Sequence, residues 1–201
     1  MLRSTLLSLF LSTLSLSQAY AEDVKVSPKN SKVEWVGSKV IGSKHNGTIA
    51  IKEGHVKFNK GMPMSGKIVV DMTSIKNTDL TDPKWNAKLV GHLKSDDFFS
   101  VEKHKHAELK VSKIQKVNNS KWRLDGTLTI KGVSKDINLI ADATLKGNKV
   151  TAVTAAFDFD RTDFNIRYGS GKFFENLGDK MISDKVNVKV LLVLSKPVEL
   201  S

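Results

Sequence analysis

His104 and His106 stand two residues apart, a spacing that turns both imidazoles to one side of an extended segment, and Glu102 precedes them at the same interval. This trio is the nearest approach to a metal cluster. A structural zinc site takes four protein ligands and no fourth accompanies these, so they read as exposed side chains at a strand entrance. Asp158 and Asp160 are also two apart. A carboxylate pair does acid–base work when apolar burial raises one pKa; here Arg161 follows directly and is the more natural ion-pair partner. Gly61-Met62-Pro63-Met64-Ser65-Gly66-Lys67 has the spacing of a phosphate-binding loop. Ile68 stands where a magnesium-ligating Ser or Thr belongs, and the segment runs into a strand pattern instead of a helix, so its amides would not converge on a phosphate. A glycine-bounded hairpin fits better. The five histidines suggest no Ser–His–Asp arrangement, and the chain has no cysteine, which removes disulfides, thiolate nucleophiles and cysteine-ligated metals. No catalytic residue and no metal ligand is assigned, and no cofactor is expected.

The elements that hold these residues come from 201 residues, 40% apolar and 26% charged, with a formal net charge of +11. That mix fits one folded domain. Arg3, Arg123, Arg161 and Arg167 are the only arginines, so the basic balance is carried by dispersed lysine. Nucleic-acid readers favour the guanidinium fork, and no nucleic-acid partner is expected.

The N-terminus reads as an address. Arg3 is the one charge before an apolar run over 6–16, Ala19-Tyr20-Ala21 offers small residues at the two positions a signal peptidase reads, and charge resumes at Glu22. The run is too short and too rich in serine for a membrane span, which needs roughly 20 apolar residues. Residues 1–21 are therefore expected to be removed on export to a periplasm, leaving 22–201 as the domain.

Alternation with period two dominates that domain, as half-buried strands require. Trp122, Leu124, Gly126, Leu128 and Ile130 form one row; Ile137, Leu139, Ala141, Ala143 and Leu145 another; Ala107, Leu109 and Val111 a third; and Val186, Val188, Val190, Leu192 and Leu194 a fourth. Val33, Trp35 and Gly37 mark an early strand, and Ile49 and Ile51, Val56 and Phe58, and Ile68 and Val70 mark three more. Glu53-Gly54, Lys60-Gly61, Asn118-Asn119, Lys131-Gly132 and Lys146-Gly147-Asn148 read as turns between antiparallel neighbours. Asp82-Pro83 opens a helix with Trp85, Leu89, His92 and Leu93 at three-to-four spacing, and 173–180 suggests a second short one. About eight amphipathic strands with one or two helices make an all-β fold, best closed as a barrel. Such a barrel is packed by side chains or holds one slender ligand. Small residues in the inward rows (Gly126, Ala141, Ala143, Ala152, Ala156) would leave axial room, unless aromatics from facing strands fill it.

Six blocks in order give the chain a resemblance to the YceI-like family of exported, lipocalin-like, polyisoprenoid-binding barrels: Val33 to Lys39 with Gly42 to Gly47; Val70 to Ile75; Lys88 to Phe99; Gly126 to Lys135; Asp160 to Phe164; and Tyr168 to Gly171 with Leu177 to Lys180 and Ile182. Lys105, where the family commonly carries proline, is the one visible departure. The resemblance implies an extended eight-stranded antiparallel barrel whose channel holds a long apolar tail: an isoprenoid quinone, a polyprenyl or a fatty acyl compound. It does not imply catalysis.

The strand faces nominate Trp35, Phe58, Leu109, Trp122, Leu128, Leu139, Ala141, Val188 and Leu192 as tail contacts. His45, Arg161 and Arg167 are headgroup candidates, each with a structural alternative: a loop tie for His45, and ion pairs with Asp160, Asp163 or Asp179 for the arginines. The function expected is that of a lipid-binding carrier or sequestering protein, in transient contact with a membrane surface and compatible with a monomer or a dimer. A lysine-rich module binding acidic envelope polymer is the alternative, and an envelope enzyme a more distant one.

Overall fold

A computed structural model describes residues 21–118 and 120–201. Apart from Ala21, the expected leader lies outside the described residues, as does Asn119 of the expected Asn118-Asn119 turn. Nine antiparallel strands follow one another: β1 (Glu22–Lys25), β2 (Lys32–Ser38), β3 (Lys44–Asn59), β4 (Met62–Asn77), β5 (His106–Lys116), β6 (Lys121–Ile130), β7 (Val133–Lys146), β8 (Lys149–Asp160) and β9 (Lys185–Glu199), with helix α1 (Pro83–Lys94) between β4 and β5. The sheet runs β3-β2-β9-β8-β7-β6-β5-β4 and returns by β4 pairing with β3, which closes an eight-stranded barrel. Short β1 continues the place of β2 along β3: Trp35 pairs with Gly47, while Val24 pairs with Val56 and Val26 bridges to Leu194. Among the described residues no long strand edge is left unpaired.

Local chemistry builds the connections. Lys60-Gly61 and Lys131-Gly132 both have positive φ in each residue (49° and 74°, 50° and 74°), the conformation that joins twisted strands through two residues. The would-be phosphate loop is therefore this turn plus the start of β4. Asp82 caps α1, its carboxylate accepting from the amides of Lys84 (2.8 Å) and Trp85 (3.2 Å), with Pro83 where no amide is needed.

Two expected breaks are placed differently. Glu53-Gly54 is no turn, because β3 runs on through it with a bulge between Ile51 and Glu53. A Cβ on Gly54 would lie 2.7 Å from Ile68 Cδ1, so glycine serves close packing there. Residues 173–180 form turns and a single 3₁₀ turn, Gly178–Lys180, because Asn176 and Gly178 hold φ of 58° and 52° and interrupt any helix.

Two clusters of buried side chains stack along the barrel axis. One surrounds Trp35, Met72, Phe98 and Ile166; the other surrounds Phe58, Trp122, Ala141 and Val150. Between β8 and β9 a 24-residue connection, 161–184, folds across the barrel end that also carries the β2–β3 turn and α1.

Candidate functional site

The first cluster is hollow. A cavity of about 150 Å³ reaches the 161–184 segment, which supplies part of its wall, and is bounded by Trp35, Ile49, Met72, Ile75, Phe98, Leu109, Leu128, Phe159, Ile166, Ile182 and Val188, among others. Strand alternation puts these groups inward, and α1 and the turn after it supply Leu93, Phe98 and Phe99. Deeper along the axis a second cavity of about 50 Å³ is walled by Val111, Trp122, Leu124, Val153, Ala155 and Leu192. Ile68, Leu109, Phe157 and Val190 belong to both walls and so form the neck between the two chambers.

Glu108, Arg161 and Ser183 are the polar residues in the outer wall apart from the Trp35 indole. Glu108 turns its carboxylate outward to Lys67, 2.8 Å away. Arg161 is 2% exposed, and its five N–H groups are all used: Nε–H donates to Ser183 O (3.0 Å), Nη1 to the carbonyls of Ile166 (2.9 Å) and Tyr168 (2.8 Å), and Nη2 to Ile182 O (3.2 Å) and the Asp184 carboxylate (3.3 Å). Burial pulls its pKa below the usual value, opposed by the charges of Asp184 and Asp160. No N–H remains for a headgroup. Arg161 instead fastens both ends of the mouth segment, which is a correction to its reading as an anion clamp, and its partner is Asp184 instead of Asp160, which pairs with Lys172 at 2.6 Å.

His45 and Arg167 lie at the mouth end but outside both cavity walls. His45 Nδ1 meets the Asp79 carboxylate at 2.8 Å, and the same carboxylate accepts from the Asn46 amide at 2.8 Å, so the imidazole ties the start of β3 to the segment just after β4. Burial pushes the Asp79 carboxyl up, but the Asn46 amide, His45 and Asn77 together hold it below the usual range. Arg167 lies over the Phe173 ring, 4.6 Å from its centroid. His104 and His106 take separate partners: His106 Nε2 contacts Lys52 Nζ at 2.8 Å, and His104 packs against the Lys131-Gly132 turn. Asp158 bonds Asn187 across the outer surface.

Of the nominated tail contacts, Trp35, Leu109, Leu128 and Val188 line the outer chamber, and Leu109, Trp122 and Leu192 the inner one. Phe58, Leu139 and Ala141 line neither. They pack in the second cluster, where Ala141 opposes Trp122 in register and is fully buried, so aromatic bulk occupies the room its small side chain leaves. Gly126 yields to backbone, since a Cβ there would lie 2.3 Å from Lys110 O. Ala156 faces outward because a bulge between Val150 and Ala152 shifts the phase of β8, sending Val153, Ala155, Phe157 and Phe159 in. The neck residue Phe157 and the mouth residues Ile166 and Ile182 were missed; the alternation of Phe157 with Phe159 was the available signal. The indole N–H groups of Trp35 and Trp122 are buried without an acceptor.

The sequence profile of the YceI-like domain matches residues 25–194. A UPF0312 protein of Serratia proteamaculans is 30% identical over 152 residues, covering 74% of this chain and 76% of its own, and one of Pseudomonas putida is 28% identical over 147 residues, covering 70% and 73%. Burkholderia cenocepacia BcnA superposes with a TM-score of 0.63 at 23% identity, covering 84% of this chain and 98% of its own. A polyisoprenoid binding domain from Saccharophagus degradans, implicated in plant cell wall breakdown, superposes with a TM-score of 0.56 at 16% identity over 89% and 98%. At these identities the solved structures share the fold.

Proposed function

The chain belongs to the family of YceI-like domains, and from that membership and its apolar channel we propose that it binds an amphiphile by a long hydrocarbon tail, as a carrier or sequestering protein and not as an enzyme. One observation carries the reading: the outer chamber offers hydrocarbon and no free charge, since Glu108 turns away and every Arg161 N–H is engaged. A wall of that kind discriminates by burial alone. Each methylene taken from water contributes about 0.8 kcal/mol, so a ten-carbon stretch offsets the freedom lost on association. An apolar void near 150 Å³ stays dry and accepts a benzene-sized group. A longer tail therefore uses both chambers or trails out of the mouth.

The ligand class is an isoprenoid quinone, a polyprenyl or a fatty acyl compound. The fold shared with a polyisoprenoid binding domain supports this choice. Export to the periplasm goes with it, and an intact mass beginning at Glu22 is the check on that part; material retaining Met1 would refute it.

The test is a titration of delipidated protein with prenyl alcohols of rising length, followed by native mass spectrometry. Affinity should climb by roughly fourfold per added methylene-equivalent until the channel is full, and should be indifferent to salt. Binding that ignores tail length and vanishes as salt shortens the Debye length would instead favour the lysine-rich polymer-binding module.

A further inference from the structure

Most of the large apolar side chains that the barrel leaves exposed stand at one end. Val40 and Ile41, 58% and 72% exposed, form the β2–β3 turn; Trp85, 55%, stands on the first turn of α1; Tyr168, Phe173 and Phe174, 44–49%, stand on the mouth segment. Among the described residues only Met64, Val117 and Ile140 are comparably exposed elsewhere. The three groups share one rim. The Val40 amide donates to Met181 O at 2.9 Å, joining the turn to the mouth segment, and the His92 ring of α1 packs edge-on to Tyr168 at 4.6 Å. Scattered singly, such side chains need no explanation; gathered around a channel opening, they mark a contact surface.

Cations accompany each group. Lys39 and Lys44 flank Val40-Ile41, Lys88 lies over Trp85 at 5.1 Å, and Arg167 lies over Phe173 at 4.6 Å. Over 39–44 and 82–88 cationic side chains outnumber acidic ones, and over the whole mouth segment, 161–184, four of each sign balance. Aromatic rings at headgroup depth, with lysines worth about 1 kcal/mol apiece against an anionic leaflet, are the composition of a membrane-interface surface.

We propose that the mouth end docks on an anionic lipid bilayer, seating Ile41, Trp85, Phe173 and Phe174 among the headgroups so that the channel opens toward the membrane. The tail-binding function supplies the purpose of this arrangement and the proposal rests on it for that alone; docking itself does not require a loaded channel.

Sedimentation with phosphatidylcholine vesicles, with and without one-third phosphatidylglycerol, tests it on the delipidated chain lacking its leader. The anionic vesicles should bind at least about tenfold more tightly, and salt should erase the difference. Trp85, the exposed tryptophan, should lose its quenching by iodide on binding. Ile41→Ser with Phe174→Ser should weaken binding about tenfold, while Met64→Ser with Val117→Ser, at 49% and 55% exposed positions away from the rim, should not. Equal binding to neutral and anionic vesicles, or equal loss in both double variants, would overturn the proposal. So would rim substitutions that abolish a monomer–dimer equilibrium and leave vesicle binding intact, since the rim would then serve a second copy of this chain. Prenyl titration of the same variants separates the two readings: docking without tail uptake overturns the carrier and leaves the docking surface standing.

Discussion

The Arg161 guanidinium lies 3.3 Å from the Asp184 carboxylate, the arginine 2% and the aspartate 18% exposed, so one partly buried ion pair joins the end of β8 to the start of β9. Everything between them, including the mouth residues Ile166 and Ile182, is held by that clasp and by the four carbonyls that Arg161 also serves. Arg161→Gln is expected to destabilise the fold by about 3–5 kcal/mol in urea unfolding, because it leaves several carbonyls without a donor at about 1–3 kcal/mol each, while Asp184, 18% exposed, keeps Lys172 at 3.8 Å. Amide exchange over 165–184 should rise first. Affinity for neutral and charged amphiphiles should fall together, since the loss is of the wall; a loss confined to charged ligands would restore Arg161 to the role of headgroup clamp.

Acid should loosen the same segment. Burial pushes the Asp160 carboxyl up, but the Lys172 ammonium at 2.6 Å and the hydroxyl and amide of Thr162 together hold it below the ordinary carboxylate range. A carboxyl held below its unfolded value near 3.9 stabilises the fold at all higher pH, and loses that contribution as pH falls through the folded value. Melting temperature should therefore be insensitive to Asp160 from neutrality to about pH 5 and should fall below about pH 4. Asp160→Asn should flatten that acid limb; an unchanged limb would show that the Lys172 contact contributes nothing.

The barrel was legible because its signal is local. Alternation along 122–130 and 137–145 fixes which face is inward, and antiparallel neighbours joined by Lys131-Gly132 leave little choice of partner. Phase errors arose where one residue is inserted. The bulge in β8 exchanges Ala156 for Phe157 at the inner face, and the bulge in β3 carries a strand through Gly54. The roles of Ala141 and Gly126 were illegible for another reason: whether a small side chain leaves space depends on what stands opposite, here Trp122 and the Lys110 carbonyl. Arg161 was misread in the same way, because its acceptors are backbone carbonyls of residues 166, 168, 182 and 183, and carbonyls carry no sequence signature.

Ala141→Phe separates the packed end from the hollow one. Ala141 lines neither chamber, is fully buried and sits in register with Trp122, so a phenyl ring there overpacks the second cluster. A stability loss of about 1–3 kcal/mol is expected, with the longest accepted tail unchanged. A folded variant of undiminished stability that no longer takes long tails would show instead that the channel reaches Ala141.

Phe157 is the largest side chain of the four that wall both chambers, and it decides how far a tail can travel. Removing its ring should merge cavities of about 150 and 50 Å³ and extend the range of tail lengths over which affinity still rises. The measurement is the length at which prenyl affinity reaches its plateau, read in parallel with emission from Trp122, which lines only the inner chamber. Trp35→Phe and Trp85→Phe backgrounds make that emission specific. In Phe157→Ala the plateau should move to longer tails, and Trp122 should respond to tails that leave it unchanged behind the intact neck. Val153→Phe fills the inner chamber from β8 and should move the plateau the other way, each excluded methylene weakening binding by roughly fourfold. The two substitutions differ in sign, so a general loss of stability cannot imitate both. If neither moved the plateau while both proteins stayed folded, the tail would end at the neck, and the inner chamber would be a packing defect of the barrel with no part in binding.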